Sequence, residues 1–330
     1  MKRRYTQMIF FHFMSIVGIT FTPLSWSETD NISYSRAIPN LLQKANQVNQ
    51  PQTCDINPKQ SNLEKCHNKM DKIFADHKAN IDVFIGYNDL DINDKSAFTA
   101  DSIMRAYFID KLTRPCSKTN PDLCDFQFDP NDADKLSKKL KDGNTVEVSI
   151  SDSAVTNRDS ANKTSSAQKV KSERTLKKFE NSLENTEAVF YVGHSRDGGG
   201  PDFSPARRAA SGHVDYNWYK AHQPGLHHVL ESMSDGHPDI FGSFSCDSMK
   251  HFAKPLRKTN PSLLYFGTTR LANEAYNRTV PKGPWVPTEV TSSEVIDSMD
   301  IAITNIIRRD CEFNRRFKEQ NMPTVADYGV

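Results

Sequence analysis

The sequence has no excess of either charge: 42 Lys and Arg stand against 41 Asp and Glu in 330 residues. That balance argues against a dedicated nucleic-acid binder, which concentrates basic charge. Long apolar runs are also scarce, with 37% hydrophobic residues and a mean hydropathy of −0.64, which excludes a multi-pass membrane protein. None of the six cysteines falls in a Cys-x-x-Cys, and no pair of the ten histidines has the spacing of a helical metal motif. A zinc site is thereby disfavoured, and no metal ligands are assigned. A Gly-Lys-Ser/Thr phosphate loop, a Rossmann glycine fingerprint and a repeat of 20 to 50 residues are absent too.

The one long apolar stretch is at the N-terminus. Lys2, Arg3 and Arg4 precede Met8 to Phe21, followed by Pro23 and by Ser25 and Ser27 at the −3 and −1 positions of a cleavage site. Residues 1–27 read as a secretory signal peptide, with an uncleaved anchor as the competing reading. Cleavage leaves 39 basic against 41 acidic residues and no integral membrane segment. The expected location is exported, periplasmic or secreted.

Export bears on the cysteines, because thiols outside the cytoplasm tend to pair. Cys54 and Cys66 are 12 apart and Cys116 and Cys124 are 8 apart, each pair within polar, loop-like sequence. Two local disulfides are expected. Cys246 and Cys311 then either bond each other or stay as thiols.

Residues 28–80 are polar, with helical hints at Asn40 to Val48 and Asn62 to Phe74, and read as a small helical N-terminal appendage. From residue 81 to 330 short apolar runs alternate with amphipathic stretches. Strands are expected at Ile81 to Tyr87, Val146 to Ile150, Ala188 to Val192, Ile240 to Phe244 and Leu263 to Gly267. Helices are marked by Met104, Phe108 and Leu112, by Leu176, Phe179 and Leu183, by Leu226, Val229, Leu230 and Met233, and by Met249, Phe252, Ala253 and Leu256, the last shortened or kinked by Pro255. Ser151 to Ser166 reads as a mobile surface loop. A final helix opens at the capping box Thr291-Ser292-Ser293-Glu294 and buries Val295, Met299, Ala302 and Ile306. The pattern implies an α/β three-layer sandwich, a mostly parallel five- to six-stranded sheet flanked by helices.

Ligands of open α/β sheets gather outside the carboxyl ends of the strands. His194 stands at one such end, in Tyr191-Val192-Gly193-His194-Ser195, and Cys246 at the next, in Phe244-Ser245-Cys246-Asp247-Ser248. A helix N-terminus and a nearby imidazole both favour a thiolate, which attacks while the imidazole protonates the leaving group. Backbone N–H groups of Ser195 and Cys246 are the candidate oxyanion donors, aimed by the Gly193 turn. Such acyl-transfer chemistry needs no cofactor.

These two motifs resemble those of the clan CD cysteine peptidases, which include caspases, metacaspases, legumains, gingipains and clostripain. There the catalytic His ends one strand in a Gly-His-Gly or Gly-His-Ser turn and the catalytic Cys ends the next. The resemblance implies a caspase-like catalytic domain acting on a protein or peptide substrate, with Cys246 as nucleophile and His194 as general acid/base. It departs from the family where a Gly is expected soon after the nucleophile and Asp247-Ser248-Met249 follows instead.

Other readings stay open at this point. Cys246 can be an inert or disulfide-bonded cysteine in a non-catalytic interaction protein of the same fold. Gly193-His194-Ser195 opens like a lipase elbow, which makes Ser195 the nucleophile of an esterase, although Asp197 stands where that motif has Gly. The loop with Asp197, Gly198, Gly199, Gly200 and Asp202 is a candidate substrate-framing loop, and Asp197, Asp202, Arg207 and Arg270 are candidates for the floor of a specificity pocket. His213, His222, His227, His228 and His237 read as solvated, and Tyr216, Trp218 and Tyr219 form an aromatic cluster of either core or binding type.

Overall fold

A computed structural model describes residues 60–87, 101–118, 120–156, 158–233, 236–268, 292–311 and 325–328. The signal-peptide segment, Cys54 and Arg270 lie outside these residues.

The helices are α1 (Gln60–Ile73), α2 (Asp101–Thr113), α3 (Asp159–Asn162), α4 (Ser166–Asn185), α5 (Tyr216–His222), α6 (Pro224–Ser232), α7 (Ser248–Thr259) and α8 (Ser292–Arg308). The strands are β1 (Lys78–Ile85), β2 (Gln127–Asp129), β3 (Asp132–Lys139), β4 (Thr145–Asp152), β5 (Ala188–Val192), β6 (Ile240–Phe244), β7 (Leu264–Thr268) and β8 (Val325–Tyr328). They form one sheet in the order β2-β3-β4-β1-β5-β6-β7-β8. β4, β1, β5, β6 and β7 run parallel, while at the edges β3 pairs antiparallel with β4, β2 antiparallel with β3, and β8 antiparallel with β7.

Side chains alternate across a strand, and that alternation builds two cores. Phe190 and Val192 of β5, with Ile81, Val83, Ile240 and Phe244, face Met70 of α1, Met104 and Phe108 of α2, and Ala302 and Ile306 of α8. Val189 and Tyr191, with Phe84, Phe241 and Tyr265, face Phe179 of α4, Val229 of α6 and Phe252 and Leu256 of α7. Both faces of the sheet are thus covered, the three-layer α/β sandwich expected from the sequence. β5 and β6 are buried at every position, which is why they stand out as continuous apolar runs.

Several expectations need correction. The boundary at residue 80 falls inside β1, and α1 buries Cys66, Met70 and Ile73 in the first core; the chain divides after Asp55 instead. The sheet has eight strands, because the polar hairpin β2–β3 and the short β8 add to its edges. Cys66 does not pair with a neighbour in sequence: it is disulfide-bonded to Cys311, 245 residues away, which joins α1 to the end of α8. The local Cys116–Cys124 disulfide is present.

The segment Ser151 to Ser166 is packed rather than loose. Ser153, Asp159 and Asn162 are buried, and the Tyr87 hydroxyl donates to Asp159 Oδ1 at 2.9 Å while Arg208 Nη2 donates to Oδ2 at 2.9 Å. A charged partner and a hydroxyl meet the carboxylate inside the protein, which fixes the turn. α7 runs on past Pro255 to Thr259, held by Phe252, Ala253 and Leu256 in the second core. No helix of the described residues is long and apolar enough to cross a membrane.

Candidate functional site

The register of β5 and β6 carries the geometry. Val192 lies opposite Phe244, and the Gly193 N–H extends the pairing by donating to the Phe244 carbonyl at 3.4 Å. His194 and Cys246 each follow two residues after that pair, so the two parallel strands, ~4.8 Å apart, bring both positions to the carboxyl edge of the sheet. His194 is 6% exposed. Cys246 is half-buried against the first core and stands outside both disulfides, which removes the Cys246–Cys311 pairing.

The turn after Cys246 is built by hydroxyls. Ser243 and Ser245 join through their Oγ atoms at 2.9 Å. The Ser248 Oγ accepts from Thr268 N at 2.9 Å, the Tyr265 hydroxyl donates to the Ser248 carbonyl at 3.1 Å, and Thr268 Oγ1 donates to the Ser245 carbonyl. All five of these side chains are buried, so β6 and β7 clamp the turn. Asp247 takes the left-handed conformation, φ 47°, and begins the helix. An Asp tolerates that region better than most residues, so it supplies the sharp strand-to-helix reversal. The 12-residue α7 points its N-terminus at this turn, a favourable field for a thiolate.

The segment after Ser195 has another shape. Arg196, Asp197 and Gly198 are successively left-handed, at φ 49°, 53° and 93°, in a single 3₁₀ turn. Ser195 has ordinary helical angles and a side chain 2% exposed. The strand, strained turn and immediate helix of an elbow nucleophile are therefore found at Cys246 and not at Ser195. Among the described residues no group accepts from the Ser195 backbone N–H, and the Ser195 carbonyl takes the N–H groups of Gly198 and Gly200 at 2.9 and 2.8 Å.

Protein atoms fill the space beside the glycines. A Cβ on Gly199 comes 2.7 Å from Tyr219 Cβ, and one on Gly200 comes 2.5 Å from the His194 carbonyl oxygen. Asp202, a candidate for a pocket floor, is engaged inside the protein instead: its Oδ2 accepts from Arg196 Nε at 3.0 Å and from the Tyr219 hydroxyl at 3.2 Å. The Arg196 side chain is fully buried. The Tyr191 hydroxyl, whose pKa burial pushes up, donates to the His194 carbonyl at 3.0 Å and accepts from Asp202 N at 3.1 Å. The aromatic cluster divides: Tyr219 is core, Trp218 stacks on His222 and under Arg207, and Tyr216 is exposed. Arg207 also faces Asp215 at 3.6 Å.

Asp197 is 42% exposed and faces His251 Nε2 at 3.6 Å and Lys220 Nζ at 3.7 Å. The sequence reading passed over His251. It sits one turn into α7, its N–H bonded to the Asp247 carbonyl, and its Nδ1 borders Gly198. Its burial holds its pKa below the usual histidine value, opposed by the Asp197 carboxylate. The signal that could have found it is its place on the helix that Cys246 opens. Of the other histidines, His213, His222 and His227 are exposed, and His228 pairs with Glu180 at 2.7 Å.

One group of metal-capable side chains falls together among the described residues, Cys116, Cys124 and Asp125, and its two sulfurs are joined in the disulfide.

No protein-family model, curated protein or solved structure matches this chain. Function therefore has to be read from the site alone.

Proposed function

We propose that the protein is an exported cysteine endopeptidase with a Cys246–His194 dyad, of the caspase-like type that its motifs resemble. The observation that carries this reading is the equivalent placement of His194 and Cys246 two residues beyond the paired Val192 and Phe244. The Cys246 thiolate attacks the scissile carbonyl. His194 protonates the departing amine and then, as a base, activates the water that releases the acyl group. The backbone N–H groups of Ser195 and Cys246 are the proposed donors to the oxyanion. Export agrees with the two disulfides, which need an oxidising compartment to form and persist.

The test is a peptide library profiled with the wild-type protein and with Cys246→Ala, His194→Ala and Ser195→Ala. Cleavage by the wild type and by Ser195→Ala, lost in the other two, is the expected result. Hydrolysis retained by Cys246→Ala overturns the proposal in favour of a serine nucleophile. A Cys246 thiol that iodoacetamide alkylates at mildly acidic pH reports the lowered pKa that the mechanism requires.

A further inference from the structure

The two disulfides differ in a way that has chemical consequences. Cys66 and Cys311 are 3% and 5% exposed and close onto the first core. Cys116 is exposed, whereas Cys124 is fully buried. An ammonium stands over this second bridge: Lys138 Nζ, reaching from β3, lies 3.5 Å from Cys124 Sγ and 3.7 Å from Cys116 Sγ. It is fixed there by donating to the Asp122 carbonyl at 2.6 Å and by lying 5.7 Å from the centre of the Phe126 ring.

We propose that the Cys116–Cys124 disulfide is a thiol-exchange site, opened by attack of a thiol on the exposed Cys116 sulfur while Lys138 holds the departing Cys124 thiolate. In the first step the incoming thiolate forms a bond to Cys116 Sγ. The S–S electron pair leaves on Cys124 Sγ, giving a mixed disulfide at Cys116 and a thiolate at Cys124. In the second step either Cys124 attacks back and expels the thiol, or a second thiol takes the adduct away as its own disulfide. The second route leaves both cysteines reduced and two thiols oxidised.

Two features favour this bond over the other. Exchange needs access to the sulfur under attack, and only Cys116 offers it. Exchange is faster when the leaving sulfur is the weaker base, and a neighbouring ammonium makes it so. The effect matters at Cys124, because burial and the Asp125 carboxylate, within 4.8 Å of both sulfurs, each oppose a thiolate there. The charges that face the Lys138 ammonium are Asp122 and Asp125, which hold its proton on, and Lys141, which works against it together with burial. Once the bridge opens, the loop is held to α8 through the Asp122–Arg308 ion pair and to α2 through Phe126 N and the Leu112 carbonyl. The reactant class is a thiol, either a small monothiol or a protein dithiol.

The experiment exposes the oxidised full-length protein to graded glutathione, or to a thioredoxin-type dithiol protein, at one fixed pH. Samples are quenched with acid, alkylated and read by peptide mass spectrometry without reduction. The expected result is that Cys116–Cys124 opens at least about tenfold faster than Cys66–Cys311. Glutathione leaves its adduct on Cys116, and the dithiol protein opens the same bond without a lasting adduct. Opening by the dithiol protein alone assigns the reactant to protein thiols. Lys138→Met is expected to slow opening about tenfold and Lys138→Arg to restore it, while the Cys66–Cys311 rate stays unchanged in both. Equal opening rates for the two bridges in the wild type, an adduct on Cys124, or a Lys138→Met protein that opens as fast as wild type overturns the proposal.

Discussion

Arg196 places its guanidinium wholly out of solvent against Asp202, Nε to Oδ2 at 3.0 Å, in the turn that follows the candidate catalytic histidine. The same carboxylate takes the Tyr219 hydroxyl, and the Asp202 main chain meets the Tyr191 hydroxyl that holds the His194 carbonyl. Removing one partner of a buried ion pair strands the other. Asp202→Ala is therefore expected to lower stability by about 3–5 kcal/mol, read as the midpoint of urea unfolding, and Asp202→Asn by less because an acceptor remains. An Asp202→Ala protein as stable as wild type means that the turn does not depend on this pair.

Asp101 gives a pH dependence whose sign is fixed by its surroundings. The side chain is 1% exposed at the start of α2, and burial pushes its pKa up to about 7 against the N–H groups of Ser153 and Ala154, which pull it down. A carboxyl of raised pKa binds more protons folded than unfolded. Its stabilising contribution is full below the unfolded value near 3.8 and is lost as the pH rises toward 7. Between pH 8 and pH 5 the wild type is expected to gain about 2 kcal/mol relative to Asp101→Asn, whose amide does not ionise. Denaturant midpoints of the two proteins that move in parallel across this range contradict the assignment.

The Cys66–Cys311 bridge spans 245 residues and fastens α1 to the end of α8 on one face of the sheet. A loop of that length restrains the unfolded chain strongly. The Cys66→Ser, Cys311→Ser double variant is expected to lose roughly 2–5 kcal/mol. Opening Cys116–Cys124, which closes only eight residues, costs less. Thermal unfolding of both double variants in the absence of reductant measures the difference, and a larger loss at Cys116–Cys124 reverses the ranking.

What the sequence made legible follows the physics of burial. Ala188–Val192 and Ile240–Phe244 are buried at every position, so an apolar run marked each to the residue. β3 buries Leu136 alone among its eight residues and carries three lysines, the usual dress of a strand near a sheet edge. Nothing in its composition distinguishes it from a loop. The partner of Cys66 was hidden for a different reason: spacing reports neighbours along the chain, while the packing of α8 beside α1 decides which sulfur arrives. The placement of His194 and Cys246 just past the ends of β5 and β6 was legible because strand ends in a parallel sheet line up. Arg196, Asp202 and His251 were not, because their roles depend on how a polar turn folds back on Tyr219 and α7.

Gly200 separates the proposed chemistry from the general stability of the fold. A Cβ there comes 2.5 Å from the His194 carbonyl oxygen and 3.2 Å from the Ser195 carbonyl. Neither backbone group can retreat far, since the His194 carbonyl is tied to Tyr191 and the Ser195 carbonyl already takes the N–H groups of Gly198 and Gly200. The methyl group must therefore push the His194 main chain off its line with β6, while Cys246, clamped by Ser245, Ser248 and Thr268, stays in place. A displacement of about 1 Å between reacting groups costs on the order of a hundredfold in rate. Gly200→Ala is expected to reduce kcat by that order with a smaller change in KM. Alkylation of Cys246 by iodoacetamide should persist, because the thiol itself has not moved. Loss of alkylation together with activity points to a collapse of the whole edge, and full activity means that His194 does not work from the position this turn gives it.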